Sequence, residues 1–272
     1  MATNLVRGIY LSDHSSTGPL RSILQYRKLL RQLVIREIKL RYKRSALGFA
    51  WTVLNPLLAM VIFTMVFSRI FGGQPHYPLY VLTALLGWNL FSLGTSRGLD
   101  SVVQNGAIIR KVFVPKAIFP VAAIASQVVN FAFTLAPLFV LMMALGASFS
   151  LSLLWLPVPL FSLTCFALGI ALLLGTFNVF FRDVKYFYEA GLLAWFYATP
   201  IFYPAEIIPD KFKLLLYLNP MYGLLESLRA PIYQGTAPAA IVLVSGLALS
   251  LATLAVGWIV FHRFESRFIH YV

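Results

Sequence analysis

Six stretches of this chain are apolar over about the length a helix needs to cross lipid, and almost no charge interrupts them. A span takes about 20 mainly apolar residues. The runs at 49–70, 79–97, 117–145, 152–179, 186–203 and 237–262 meet or approach that length. Only 11% of the 272 residues are charged, against about a quarter in a soluble domain whose surface must be wetted. Lipid is therefore the solvent for much of the surface. The runs predict an all-α membrane protein with six transmembrane helices, a single compact domain over 49–272 behind a cytoplasmic segment at 1–48.

The net charge of +13 is distributed in a way that argues against a nucleic-acid surface. Ten of the 22 Lys and Arg residues precede residue 45, and most others fall in short gaps between apolar runs. With the N-terminus cytoplasmic, eighteen lie inside; only Arg69, Lys211, Lys213 and Arg229 lie outside. That bias sets six spans with both termini cytoplasmic. Residues 1–19 read as an irregular lead-in. From Leu20 to Arg44, apolar residues including Tyr26, Leu30, Leu33, Val34 and Ile38 recur at helical spacing between Arg27, Lys28, Arg31, Arg36 and Lys39. This is a basic amphipathic helix suited to the headgroup plane, with a merely solvated charged face as the alternative. The first apolar run starts near Phe49, so the reading includes no cleavable signal peptide.

Pro137, Pro157 and Pro159 are natural kink points in or beside the long third and fourth runs. Residues 204–236 are too polar to span yet apolar in patches, and Pro204, Pro209, Pro220 and Pro231 cut them into two pieces of about a dozen residues. Such pieces suit an outer re-entrant hairpin between the fifth and sixth spans; an ordinary loop is the alternative.

Reactive chemistry is not legible. The sequence contains no Gly-Lys pair, hence no phosphate-cradling Walker loop. Asp13, Asp100, Asp183 and Asp210 are isolated, and His14, His76, His262 and His270 lack metal-ligand spacing, so neither a catalytic nor a metal site is expected. Cys165 lies alone in an apolar run and reads as a small core residue. Coupled carriers bury ionisable groups in mid-membrane, and these runs are nearly free of them, so any energy source should be a partner.

Several segments in register resemble one family. They are REIKLRYKRSALGFAWTVLNPLL at 36–58, NGAIIRKVFVPKAIFP at 105–120, NVFFRDVKYF at 178–187, TPIFYP at 199–204 and LNPMYGLLESLR at 218–229. Together they look like the permeases of type-2 ABC exporters that serve O-antigen, capsule and teichoic-acid export. The resemblance implies a homodimer in a bacterial inner membrane, bound to two copies of a cytosolic ATPase. It also implies a polymer channel at the two-fold axis, ATP and Mg held by the partner subunit, and no cofactor in this chain. It further implies ATP-driven export of a polysaccharide linked to polyprenyl diphosphate, O-antigen first. Export of capsule, teichoic acid or a small lipid or drug stays open, as does a membrane-embedded enzyme acting on polyprenyl-linked sugars.

Three groups of residues follow as candidates. Asn105, Ile108, Ile109, Arg110 and Lys111 lie in the region that resembles the helix seating in the ATPase; a plain basic loop is the alternative. Phe63, Phe67, Tyr188, Trp195, Phe196, Tyr197, Phe202 and Tyr203 are candidate channel-lining aromatics, because ring faces pack on sugar C–H faces without demanding one hydroxyl pattern. Interfacial belts and bundle packing compete with that role. Arg36, Lys39, Arg41, Lys43 and Arg44 could draw the diphosphate of the substrate to headgroup depth, or simply set orientation and bind anionic lipid.

Overall fold

The computed structural model describes residues 25–41, 45–71, 74–112, 114–147 and 149–272. Lys43 and Arg44 lie outside the described residues, as does the side chain of Arg41. Among the described residues all regular structure is helical. The chain runs α1 Arg27–Arg41, α2 Trp51–Phe67, α3 Tyr77–Gln104, α4 Gly106–Ile109 and α5 Ile118–Ala144, then α6 Pro157–Phe180 and α7 Val184–Ala198. After these come α8 Asp210–Leu218, α9 Pro220–Arg229 and α10 Ala240–Phe264.

Among the described residues, four helices are long and apolar enough to cross a membrane: α3, α5, α6 with its leading turn, and α10 with its trailing one. The first and fifth apolar runs form shorter helices, α2 of 17 residues and α7 of 15. The fifth run shortens at Thr199-Pro200, where Thr199 takes extended backbone. A residue before proline is disfavoured in helix, and proline brings no N–H to continue the ladder. The second run lengthens, because its polar tail through Gln104 stays helical.

Helix α3 is the central pillar: 78% of its most apolar window is buried, against 11% for α10. Helices α6 and α10 meet almost backbone to backbone. A Cβ added at Gly169 would stand 2.6 Å from the Thr253 carbonyl, and one added at Gly257 would overlap the Gly169 carbonyl oxygen. Small residues permit this approach, which supplies the dispersion contact that lipid exclusion does not. Buried hydroxyls bond back to their own helices: Thr83 to the Leu79 carbonyl, Thr176 to that of Leu172, Ser250 to that of Gly246.

The amphipathic helix α1 seats its apolar face on protein. Leu33 is buried, with Leu30 and Val34 beside it, against a cluster that includes Val102, Ile118 and Phe119. The predicted hairpin region forms two short helices, α8 and α9, around Asn219. The Asn219 side chain accepts from the Met221 N–H while Pro220 takes the first helical position, the pairing that starts a helix most economically.

Candidate functional site

At the end of the bundle where α3 begins, the irregular segment Thr199–Pro204 passes against α9. Four consecutive carbonyls there are each met by a side-chain donor. Arg229 Nη2 donates to the Pro200 and Ile201 oxygens at 2.7 and 2.9 Å. The Tyr77 hydroxyl donates to that of Phe202 at 2.5 Å, and the Tyr80 hydroxyl to that of Tyr203 at 3.0 Å. Non-helical backbone buried away from water persists only where protein satisfies its polar groups, and these donors do so.

Arg229 is fully buried. Its Nη1 pairs with Glu226 at 2.5 Å, and its guanidinium lies 3.8 Å over the Tyr80 ring. Leu225 and Leu228, on the same face of α9, pack over Gly87 of α3, where an added Cβ would stand 2.6 Å from Leu225. The charge distribution places Arg229 on the outer side; its burial is a further finding. Its signal was available in the pattern: it falls four residues after Leu225, on the apolar face of α9, with Glu226 one turn before.

Six of the eight candidate aromatics come together here. Phe63 stacks on Phe202 with ring centres 4.9 Å apart, Phe67 lies 5.1 Å from Phe202, and Phe202 meets Tyr203 at 5.1 Å. Phe196 joins through Phe63 at 6.2 Å, and Tyr197 through Phe196 at 5.3 Å. Trp195 sits behind this layer, edge-on to Phe91 at 5.2 Å and Trp88 at 6.3 Å. Its Nε1 donates to Asn219 Oδ1 at 2.8 Å, and Asn219 Nδ2 donates to Thr199 Oγ1 at 2.9 Å. Trp195 therefore fastens α7 to the turn between α8 and α9. Tyr188 stands apart from the layer, its hydroxyl bonded to Thr95 of α3. No residue of α7 is buried, and Tyr186, Phe187, Leu193 and Tyr197 are prominently exposed. The helix lies on the outside of the protomer.

The opposite end brings the coupling candidates together with Arg36 and Lys39. Asn105 and Ile109 are buried, whereas Arg110 and Lys111 are exposed and Ile108 is half-buried. Asn105 Nδ2 donates to the Ser101 carbonyl at 2.8 Å, and its Oδ1 accepts from Arg36 Nη1 at 3.1 Å. One proposed headgroup residue is thus bonded to one proposed coupling residue. A second strut beside it joins Glu37 to Arg97 at 3.4 Å. Lys39 is exposed.

Further ties stiffen this end. Asp100 pairs with Lys185 at 2.6 Å and accepts from Asn178 at 3.2 Å, joining α3, α6 and α7. The C-terminal turn folds back beneath them: Arg182 donates to the Tyr271 carbonyl at 3.0 Å. Val272 packs on Gly106, where an added Cβ would come within 3.1 Å. Lys116 donates to the Glu265 carbonyl. Burial holds its ammonium below the ordinary lysine range, partly offset by the Glu265 charge. Among the described residues no group of His, Cys, Asp and Glu is arranged to hold a metal ion.

Comparison with known proteins agrees in extent with this architecture. The ABC-2 type transporter family model matches residues 28–233. The O-antigen export system permease protein RfbA of Myxococcus xanthus is 34% identical over 250 residues, covering 91% of this chain and 95% of that protein. A protein of the same name from Klebsiella pneumoniae is 30% identical over 245 residues, 88% of this chain and 93% of the relative. The polysialic acid transport protein KpsM of Escherichia coli is 21% identical over 242 residues, 86% and 92% respectively.

Proposed function

The chain belongs to the ABC-2 type transporter family, and from that premise we propose that it is the permease subunit of an ATP-driven exporter of lipid-linked O-antigen polysaccharide across the bacterial inner membrane. The observation that carries this reading is the 34% identity to an O-antigen export permease along 95% of that protein's length. The lower identity to a polysialic acid transport protein favours capsular polymer as the second reading.

In this account α2 and α7 complete six spans with the four longer helices, and α8–α9 form a re-entrant hairpin at the outer face of a domain over 49–272. Both termini and the 1–48 segment are cytoplasmic, in keeping with the distribution of Lys and Arg. Two copies pair about a two-fold axis and bind two copies of a cytosolic ATPase, which supplies ATP and Mg; this chain supplies no catalytic residue and no cofactor.

The polymer passes through a channel between protomers. Its wall is the aromatic layer of Phe63, Phe67, Phe196, Tyr197, Phe202 and Tyr203, and the exposure of Tyr197 on α7 supports that role, with the buried Phe202 backing the ring stack. Trp195 holds the layer from behind, and Tyr188 ties α7 to α3 through Thr95. Arg110 and Lys111, presented on the surface, engage the ATPase over a base formed by Asn105, Ile108 and Ile109. The cations of α1 and the segment after it, Arg36, Lys39, Arg41, Lys43 and Arg44, draw the diphosphate of the carrier lipid to the entrance. Purification in mild detergent from the native host, followed by mass spectrometry, tests the class. A stoichiometric partner with a Walker motif is expected; a chain that emerges alone while still folded overturns the reading.

A further inference from the structure

Between α2, α3 and α5 lies a groove of about 390 Å³, away from the aromatic layer. Its size falls in the range of small-molecule sites, about 300–1,000 Å³. Carboxamides between membrane helices ordinarily bond across them; four line this groove, Asn55 of α2, Asn89 of α3, and Gln127 and Asn130 of α5, and the bond between Asn130 and Gln127 lies within α5. Asn130 is 5% exposed. Its Nδ2 donates to Gln127 Oε1 at 3.3 Å, and its Oδ1 accepts no hydrogen bond. An orphaned, enclosed amide oxygen is expensive in a medium without water, so the Asn130 amide gains by turning toward a donor that an occupant of the groove brings.

The occupant's chemistry follows from the donor set. A carboxamide holds a donor and an acceptor at fixed separation, which matches neighbouring hydroxyls. Trp51 and Phe131 supply flat apolar walls, which match the C–H face of a sugar ring. The charged residue of the lining is Arg97, and Glu37 stands against it at 3.4 Å, so the groove is close to charge-balanced and a bare diphosphate fits it less well than a polyol. It runs from Ser45 and Trp51, at the α1 end, to Thr134, past the middle of α5. We propose that this groove binds a sugar ring of the lipid-linked substrate, the hydroxyl-rich residue nearest the membrane anchor, with Asn130 and Asn55 as its principal hydrogen-bonding partners. The proposal rests on the polysaccharide reading above.

Binding to the full-length protein in nanodiscs tests it, with three probes. They are a short-chain prenyl diphosphate carrying one N-acetylglucosamine, the same prenyl diphosphate without sugar, and free N-acetylglucosamine. The sugar-bearing lipid is expected to bind about tenfold tighter than the bare lipid, the yield of two or so net hydrogen bonds. Asn55→Leu on the exposed side of α2 and Asn130→Leu in the core should each erase most of that difference. A melting temperature held or raised by Asn130→Leu shows that the fold survives. Equal affinity for the two lipids means an anionic headgroup site and overturns the proposal, as does a sugar preference that survives both substitutions. Free sugar binding as tightly as the lipid-borne sugar overturns the assignment to a membrane-anchored residue. These outcomes are separable from failure of the export reading. A chain that shows amide-dependent sugar preference but recruits no ATPase leaves the groove standing, whereas one that recruits ATPase without that preference loses only the groove.

Discussion

Replacing Arg229 by Met should cost the fold about 3 kcal/mol, toward the lower end of the 3–5 kcal/mol typical when one partner of a buried ion pair is removed. The structure gives the terms. The guanidinium makes two charge-assisted bonds, to the Pro200 and Ile201 carbonyls, and each such bond contributes about 1.5–3 kcal/mol. Its contact with the Tyr80 ring at 3.8 Å adds about 2 kcal/mol when desolvated. Against these stand the desolvation of the cation and the Arg229 Nε, which has no acceptor. Glu226 keeps 26% of its side chain exposed, so solvent relieves part of its loss of a partner, which places the estimate low in the range. Arg229→Lys keeps the charge, but a single nitrogen cannot straddle two carbonyls and a carboxylate; it should fall between Met and wild type. Reversible unfolding in mixed dodecyl maltoside and SDS micelles, read by tryptophan fluorescence, measures both. A double-mutant cycle with Glu226→Gln should return a coupling of about 0.5–3 kcal/mol. If Arg229→Met lies within about 1 kcal/mol of wild type, the claim that this residue fastens the Thr199–Pro204 segment is refuted.

Gly257→Leu should destabilise by at least about 1–3 kcal/mol, because its side chain has to enter the Gly169 backbone and α10 must shift; an unchanged unfolding midpoint would contradict the close α6–α10 approach. Trp195→Phe keeps the ring and loses the bond to Asn219, so a stability loss of about 1 kcal/mol is expected; Asn219→Ala also loses its cap on α9 and its bond to Thr199, but should cost less on the Trp195→Phe background than in the wild type, and full additivity of the two would sink the pairing. Reversing Arg110 and Lys111 to Glu should lower co-purification of the ATPase severalfold while leaving the melting temperature intact, since both are exposed; retained association would move the docking site elsewhere. Alanine at Tyr197, an exposed member of the aromatic layer, should slow export without loss of protein, and an unaltered export rate would remove it from the channel wall.

The membrane class was legible because it depends on local composition: runs of apolar residues report their solvent without reference to any distant contact. Element type was equally clear, and the Asn219-Pro220 start of α9 follows from capping chemistry alone. What the sequence does not show rests on long-range interactions. The burial of Arg229 is hidden because its carbonyl partners lie 28 and 29 residues away. Trp195 looked like its aromatic neighbours until its bond to Asn219 separated it from them. Asn105 and Ile109 sit beside Arg110 and Lys111 in sequence, yet the turn of α4 buries the first two and exposes the second two. Arg36, grouped with the headgroup cations by charge, also bonds Asn105 across 69 positions. Hydropathy reports how wet a segment is; it does not report which polar side chain repairs a broken helix.

The central claim is tested most directly by deleting this chain in the organism that carries it and following the polymer. Lipid-linked polysaccharide should accumulate on the cytoplasmic side while surface polymer disappears. The wild-type chain should restore export only when the partner ATPase keeps an intact Walker lysine. Surface polymer at normal levels in the deletion strain would contradict the account.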